Sequence, residues 1–237
     1  MDITTLPVIS TLIDLTSRGL LALTSLLTPW TGALAGALAI VLVTLVVRAA
    51  LIPAGIAQAK AGLARSRLAS RLRELQTRYR GDRERLQRET MELYRSEKVS
   101  PFAGCLPILI QAPIVGLLYS VFLHASIAGH ANELLSQTLL GVPLGTSLLH
   151  AVSTGTADVV TWLVIGCLVL VIAAVGEITR RAFRIESAEG MPVGVLGALQ
   201  FATAVVAVFV PLAAGVYLLT TVTWTLGQRV VLRRVYG

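Results

Sequence analysis

Charge is scarce in this 237-residue chain: 14% of residues are Asp, Glu, Lys or Arg, 55% are hydrophobic, and the mean hydropathy is +0.77. A soluble domain carries roughly a quarter charged residues, so the composition points to a membrane protein, one membrane domain with a polar insert. Cysteine is nearly missing as well. Cys105 and Cys167 both fall in long apolar runs and have no metal-ligating neighbours, which argues against a disulfide or a zinc site and leaves them as small apolar packing residues. No Gly-rich phosphate loop occurs, so nucleotide-driven chemistry is not expected, and no cofactor is implied. Lys and Arg vanish altogether between Val99 and Thr179.

That gap orients the chain. Five apolar runs are long enough to span a bilayer as helices, at about 33–56, 103–124, 158–177, 193–210 and 211–228. Pro211 has no backbone N–H and disfavours helix at Val210, so a reversal is expected between the last two runs. Of the 20 basic residues, 12 lie between Lys60 and Lys98, while Arg180, Arg181 and Arg184 follow the third run and Arg229, Arg233 and Arg234 follow the fifth. The positive-inside rule puts all three clusters in the cytoplasm and makes residues 125–157 the translocated loop, with 178–192 and the tail 229–237 inside. The expected topology is multi-pass in a plasma membrane, N-terminus outside and C-terminus cytoplasmic. The net charge of +7 is explained by anionic lipids facing the basic loops, at about 1 kcal/mol per residue near the surface. Ribosomal RNA would engage the same cations; DNA is not an implied partner.

Residues 1–32 lack a basic n-region and an A-x-A-like site, so a cleaved signal is not expected. Ile9, Leu12, Ile13, Leu20, Leu23 and Leu27 recur at near-helical spacing with Ser10, Asp14, Ser17 and Arg18 between them. This pattern reads as an amphipathic helix in the outer interface, with a loosely ordered tail as the alternative. Residues 57–99 form the polar insert. Leu68, Leu72, Leu75 and Tyr79 trace a four-three-four seam, Gly81-Asp82 marks a turn, and Leu86 with Leu93 resumes the pattern, so a cytoplasmic helical hairpin is expected. Glu74, Glu84, Glu89 and Glu92 interleave with arginines, as a solvated helix pair requires. Such a hairpin either connects two spans or acts as a docking arm.

One residue breaks the apolar pattern of the first span. Arg48 is the single charge between Gly32 and Pro53, and an arginine near the bilayer centre costs roughly 2.5 to 3.5 kcal/mol on insertion scales. The next polar residue, Gln58, lies about 15 Å further along a helix, beyond the side chain's reach, so snorkelling to the interface falls short without local thinning. The guanidinium does not deprotonate. A hydrated site inside the membrane is therefore favoured over a simple anchor, with the cation about 6 Å to the cytoplasmic side of the helix midpoint.

Arg48 and Pro53 in the first span, the hairpin LQTRYRGDRERLQRETMELYR, the block VSPFAGCLPILIQAPI and the terminal FVPLAAGVYLLTTVTWTLGQRVVLRR occur in an order and spacing that closely resembles the YidC/Oxa/Alb membrane-protein insertase family, in its short Gram-positive-type form. The resemblance covers most of residues 33–234. It implies an all-α polytopic membrane protein: a five-transmembrane-helix insertase core with a cytoplasmic helical hairpin. It further implies a hydrophilic groove open to cytoplasm and lipid, with Arg48 inside it and the second and fourth spans flanking the entering helix. The implied activity is insertion and chaperoning of newly made membrane proteins, not enzymatic catalysis, with the Sec translocon and the ribosome as candidate partners. Thr44, Gln111, Gln200, Thr203 and Thr220 are candidate groove-lining residues, although a lone Thr or Gln in a span more often bonds a neighbouring helix or its own backbone. Pro107, Pro113 and Gly104 read as shaping the second helix. No lipid-anchoring N-terminal cysteine, no extra N-terminal span with a large outer domain and no long basic tail are expected, so docking to the ribosome through such a tail is not implied. With few aromatics, any hydrophobic slide is mainly aliphatic.

Two other classes remain. A secondary transporter or channel usually needs a carboxylate or histidine at mid-membrane, but Asp158 and Glu177 map to span ends and His124, His130 and His150 to the outer end or loop. An odd number of spans also shows no inverted repeat. A passive assembly partner of the translocon would need no charged groove.

Overall fold

The computed structural model describes residues 7–97, 106–127, 130–183 and 201–236, and the fold is all-α. Two compact units divide it: residues 1–48 with 115–230, and residues 49–114 with 231–237.

In the first unit, α1 (Pro7–Thr31) gives way to a short 3-10 turn (Gly32–Leu34) and then α2 (Ala35–Ala50). Gly32 makes the break possible: its φ of +55° is a left-handed conformation that side-chain-bearing residues avoid. Ile13, Ser17, Leu20 and Thr24, spaced four-three-four, form the buried face of α1. Two of these are polar, a mixture that apolar periodicity alone does not anticipate. Thr24 tolerates burial because its hydroxyl donates to the Leu20 carbonyl at 2.8 Å. Leu12, expected on the seam, is exposed together with Leu15, Leu26 and Trp30.

The run expected over 125–157 folds into a small cap. It contains two ladders, β1 (Ser126–Ile127) with β2 (His130–Ala131) and β3 (Thr138–Leu139) with β4 (Val142–Pro143), plus the short helices α6 (Glu133–Ser136) and α7 (Leu148–Ser153). Leu134 and Leu144 are fully buried. Asn132 fastens this cap to the end of α5 (Leu106–Leu123). Its amide donates to the carbonyls of Val121 (2.7 Å) and His124 (3.0 Å), and its side-chain oxygen accepts from the N–H of Leu134 (3.2 Å). Three backbone groups left over at two helix ends are thereby satisfied by one side chain.

The chain continues through α8 (Val159–Ala182), α9 (Ala202–Phe209) and α10 (Leu212–Tyr236). Asp158 caps α8, accepting from the N–H of Thr161 at 2.8 Å. Val210 is extended (φ −91°, ψ 157°), as the residue before a proline must be, and separates α9 from α10. The first N–H groups of α10 do not go begging: Leu212 donates to the Thr146 carbonyl (2.9 Å) and Ala213 to that of Leu144 (2.8 Å). The cap thus supplies the acceptors that a helix N-terminus lacks.

Lipid gives no hydrophobic drive between helices, so close packing rests on small residues and dispersion. Ala35, Gly36, Ala37 and Ala39 on α2, Ala204 and Ala207 on α9 and Ala213 and Ala214 on α10 are all buried. The outward side of α8, by contrast, exposes Val159, Trp162, Leu163, Leu170 and Ile178, a surface suited to acyl chains and costly in water. Among the described residues two helical stretches, Ser10–Ala50 and Val159–Ala182, are long and apolar enough to cross a membrane by length and composition. The expected second and fourth runs lie partly outside the described residues, and Gln228 and Arg229 dilute the apolar character of α10.

In the second unit, α3 (Ile52–Arg78) and α4 (Arg83–Ser96) form the hairpin. The first span is expected to run to residue 56, but α2 closes at Ala50 and α3 starts at Ile52. Pro53, at the first turn of α3, cannot donate back to the preceding helix, so the break falls just before it. Leu68 is buried and Leu72, Leu75, Tyr79, Leu86 and Leu93 are half-buried. Asp82 caps α4 by accepting from the N–H of Arg85 (3.0 Å), the guanidinium groups of Arg78 and Arg85 lie 5.7 and 5.2 Å from the Tyr79 ring centre, and Arg71 pairs with Glu97.

A Cβ on Gly36 would stand 2.8 Å from Cβ of Gln137 in the cap, an atom that cannot swing aside. Gly36→Ala is expected to lower stability by about 1 to 3 kcal/mol, and Asn132→Ala by about 1 to 3 kcal/mol through the orphaned helix-end groups, both read as a lower Tm in detergent. Unchanged melting of both variants would show that the cap does not brace the helices.

Candidate functional site

The two sides of α2 differ sharply. Ala37, Ile40 and Thr44 are buried at three-four spacing, and Arg48 continues that stripe four residues on. Leu38, Leu42 and Val46 occupy the other side and are exposed. Arg48 therefore points with the protein-facing stripe and not with the face suited to lipid. It is half-buried and lies in the last turn of α2, where the unpaired carbonyls of the helix end favour a cation.

Tyr217 on α10 is an electrostatic neighbour of the guanidinium. Tyr217 is 4% exposed, and its ring meets that of the fully buried Phe122 on α5, with centroids 6.0 Å apart at 45°. Three helices thus contribute to the surroundings of one charge. Thr44, one turn before Arg48, is buried, but its hydroxyl donates to its own helix, to the Ile40 carbonyl at 2.6 Å. Thr220 is half-buried and donates likewise to the Val216 carbonyl at 2.9 Å. Thr203 is half-buried on α9, which packs against α7 and α8. Gln111 belongs to α5, but its side chain lies outside the described residues, as do Gln200, Gly104 and Cys105 altogether. Cys167 is exposed on α8.

Beyond Tyr217, the sequence reading passed over a polar stripe on α10. Tyr217, Thr221, Trp224 and Gln228 follow four-three-four spacing and so share one side of the helix. The Thr221 hydroxyl and the Trp224 indole N–H are buried, and neither has a hydrogen-bond partner among the described residues. Thr221 stands out beside Thr220 and Thr225, whose hydroxyls bond back to the carbonyls of Val216 and Thr221. The stripe could have been found by applying a helical period to the polar residues of an apolar run, not only to the apolar ones.

An all-α membrane protein with an arginine on the protein-facing side of an apolar helix, close to a buried phenol, is the class that fold and site define together. The family model described as "60Kd inner membrane protein" matches residues 26–237, and the chain belongs to that family. It is similar to the "Membrane protein insertase YidC" of Histophilus somni (strain 2336), 40% identical over 120 residues that make up 47% of this chain and 22% of that protein. The proteins of the same description from Pasteurella multocida (strain Pm70) and Xanthomonas campestris pv. campestris (strain B100) are 47% identical over 94 residues and 45% over 87. These two stretches cover 40% and 37% of this chain and 17% and 15% of those relatives. The matched stretch is thus at most about a fifth of the curated relatives' length.

A buried hydroxyl without a partner contributes nothing to folding and carries a desolvation cost. Thr221→Val is therefore expected to leave the Tm in detergent unchanged or raised, by up to about 1 kcal/mol in stability. A loss larger than that would reveal a bound water or other acceptor at this hydroxyl.

Proposed function

We propose that this chain is a membrane-protein insertase, in which Arg48 lies in a hydrophilic groove open to the cytoplasm and the lipid. The observation that carries the reading is the position of Arg48: a permanent cation on the protein-facing stripe of a helix that is otherwise apolar. The relatives described as insertases support it.

The physical logic is a shortened dry path. Each unsatisfied polar group of a peptide costs several kcal/mol in hydrocarbon, so a client's polar tail crosses more readily if water reaches half-way. Arg48 then draws acidic residues of the tail into the groove, while aliphatic faces beside it hold the client's apolar helix by dispersion until it partitions into lipid. No bond is made or broken in this cycle. The chain spans the membrane five times, N-terminus outside and C-terminus cytoplasmic, with α1 in the outer interface and residues 125–157 as the outer cap. Its clients are newly made membrane proteins. Anionic lipids face the basic loops, and the Sec translocon and the ribosome are the further partners. Thr44, Thr203 and Thr220, with Gln111 and Gln200, line the groove with Arg48.

Purified protein alone in liposomes should insert a small client with an acidic translocated tail. Arg48→Ala should slow that insertion about tenfold, the loss of one screened charge pair, Arg48→Glu should slow it further, and Arg48→Lys should partly restore it. A photocrosslinker at Val205 or Phe209, both exposed on α9, should label a stalled nascent membrane protein. Insertion that needs added translocon would favour a passive assembly partner, and absent crosslinks together with ion or solute flux would favour a transporter.

A further inference from the structure

We propose that the cap between α5 and α8 is seated in the headgroup layer of the bilayer instead of standing in water, with the turn Leu140–Gly141 as the tip that enters the lipid. This goes beyond the insertase reading and does not need it, since it concerns only the surface that the cap offers to phospholipid.

The tip is built for an apolar medium. β3 and β4 are joined by two residues, Leu140 and Gly141, with φ of +52° and +89°. Such a turn favours Asn or Gly, because a side chain with a Cβ resists the left-handed region. Leu140 is the only non-glycine residue at positive φ among the described residues, and it is 66% exposed. A Cβ on Gly141 would meet nothing within 4 Å, so the turn projects free of the protein. In water Leu140 would be unfavourable twice, through its backbone conformation and through its exposed apolar area; lipid at the tip removes the second cost.

The neighbours put that tip at a membrane interface. β3 packs against the 3-10 turn Gly32–Leu34, and Gln137 lies against Gly36 at the start of α2. Trp30, just before that turn, is 87% exposed, and Trp162 in the first turn of α8 is 51% exposed. Tryptophans gather at headgroup level, and these two mark the beginnings of α2 and α8. Residues 134–157 contain no Asp, Glu, Lys or Arg. Within them α7 exposes Leu149 and Val152, three residues apart and so on one side of the helix, shortly before the lipid-suited side of α8 starts at Val159. Because the cap also accepts from the first N–H groups of α10 and bonds the end of α5, its depth fixes theirs. Arg48 then stands about 18 Å along α2 from Gly36, just past the middle of a hydrocarbon core about 30 Å thick.

The test uses the full chain in a Cys105→Ser, Cys167→Ser background, carrying Leu140→Cys or Leu149→Cys with a nitroxide attached, in vesicles of phosphatidylcholine and phosphatidylglycerol. Collision rates with oxygen and with a water-soluble nickel chelate are compared with those at Arg88→Cys, on the exposed surface of α4, and Leu170→Cys, on the exposed side of α8. At both cap positions the nickel rate should be at least about threefold below that at position 88, with oxygen favoured as at position 170, the pattern of a group held at the boundary of headgroups and acyl chains. A nickel rate at position 140 equal to that at position 88 overturns the inference. Low rates with both collision partners would mean burial against protein and overturn it equally. Should Leu140→Cys fail to assemble, the rates at position 149 decide in the same way. No client is inserted in this experiment, so its outcome leaves the insertase reading to its own tests.

Discussion

A permanent charge cannot be left facing hydrocarbon, and the first unit of this molecule is organised around that constraint. Arg48 continues the buried stripe of α2 and lies near the carbonyls that end the helix. Its electrostatic neighbour Tyr217 is seated against Phe122. The guanidinium does not deprotonate, so it carries its charge wherever it stands, which is the condition under which it can act on another molecule.

The remaining architecture makes the site stiff at one end. The segment between α5 and α8, with little charge and no Lys or Arg, is a folded cap whose Asn132 side chain donates to carbonyls at the end of α5 and whose own carbonyls accept from the first N–H groups of α10. Gly36 lets α2 approach that cap closely. Helices with small buried residues lie together below it. Further along the Tyr217 side of α10, the buried Thr221 hydroxyl and Trp224 indole N–H have no hydrogen-bond partner among the described residues. On the proposed insertase reading, a braced end at the cap and a less satisfied polar stripe leading away from Tyr217 are what a one-sided groove requires.

Much of this was legible in the sequence. Runs such as the one containing α8 announce themselves by length and lack of charge, and the hairpin by its leucine seam and the Gly81-Asp82 turn. Arg48 could be singled out because one arginine in an apolar run has few explanations. Other features were not readable. Tyr217 in an apolar run looks like any core aromatic until its neighbour in space is known. Ser17 and Thr24 were not expected on the packed side of α1; for Thr24, a hydroxyl that bonds its own helix behaves as an apolar residue only once folded. The cap was invisible because its order comes from Asn132 and from backbone groups, which leave no periodic trace. Pro53 was seen, but its effect, ending α2 at Ala50, depends on which residue takes the first turn of the next helix. Of the polar residues grouped with Arg48, Thr44 and Thr220 bond their own helices, so residue type alone did not foretell their partners.

The central claim is that water reaches Arg48 from the cytoplasmic side. The direct measurement places a single cysteine at position 48 in a chain with Cys105 and Cys167 replaced by serine, and exposes inside-out vesicles to a membrane-impermeant thiol reagent. The account predicts labelling at a rate near that of a cysteine on the exposed hairpin surface. Protection equal to that of a cysteine at Leu170, on the apolar outward side of α8, would contradict it.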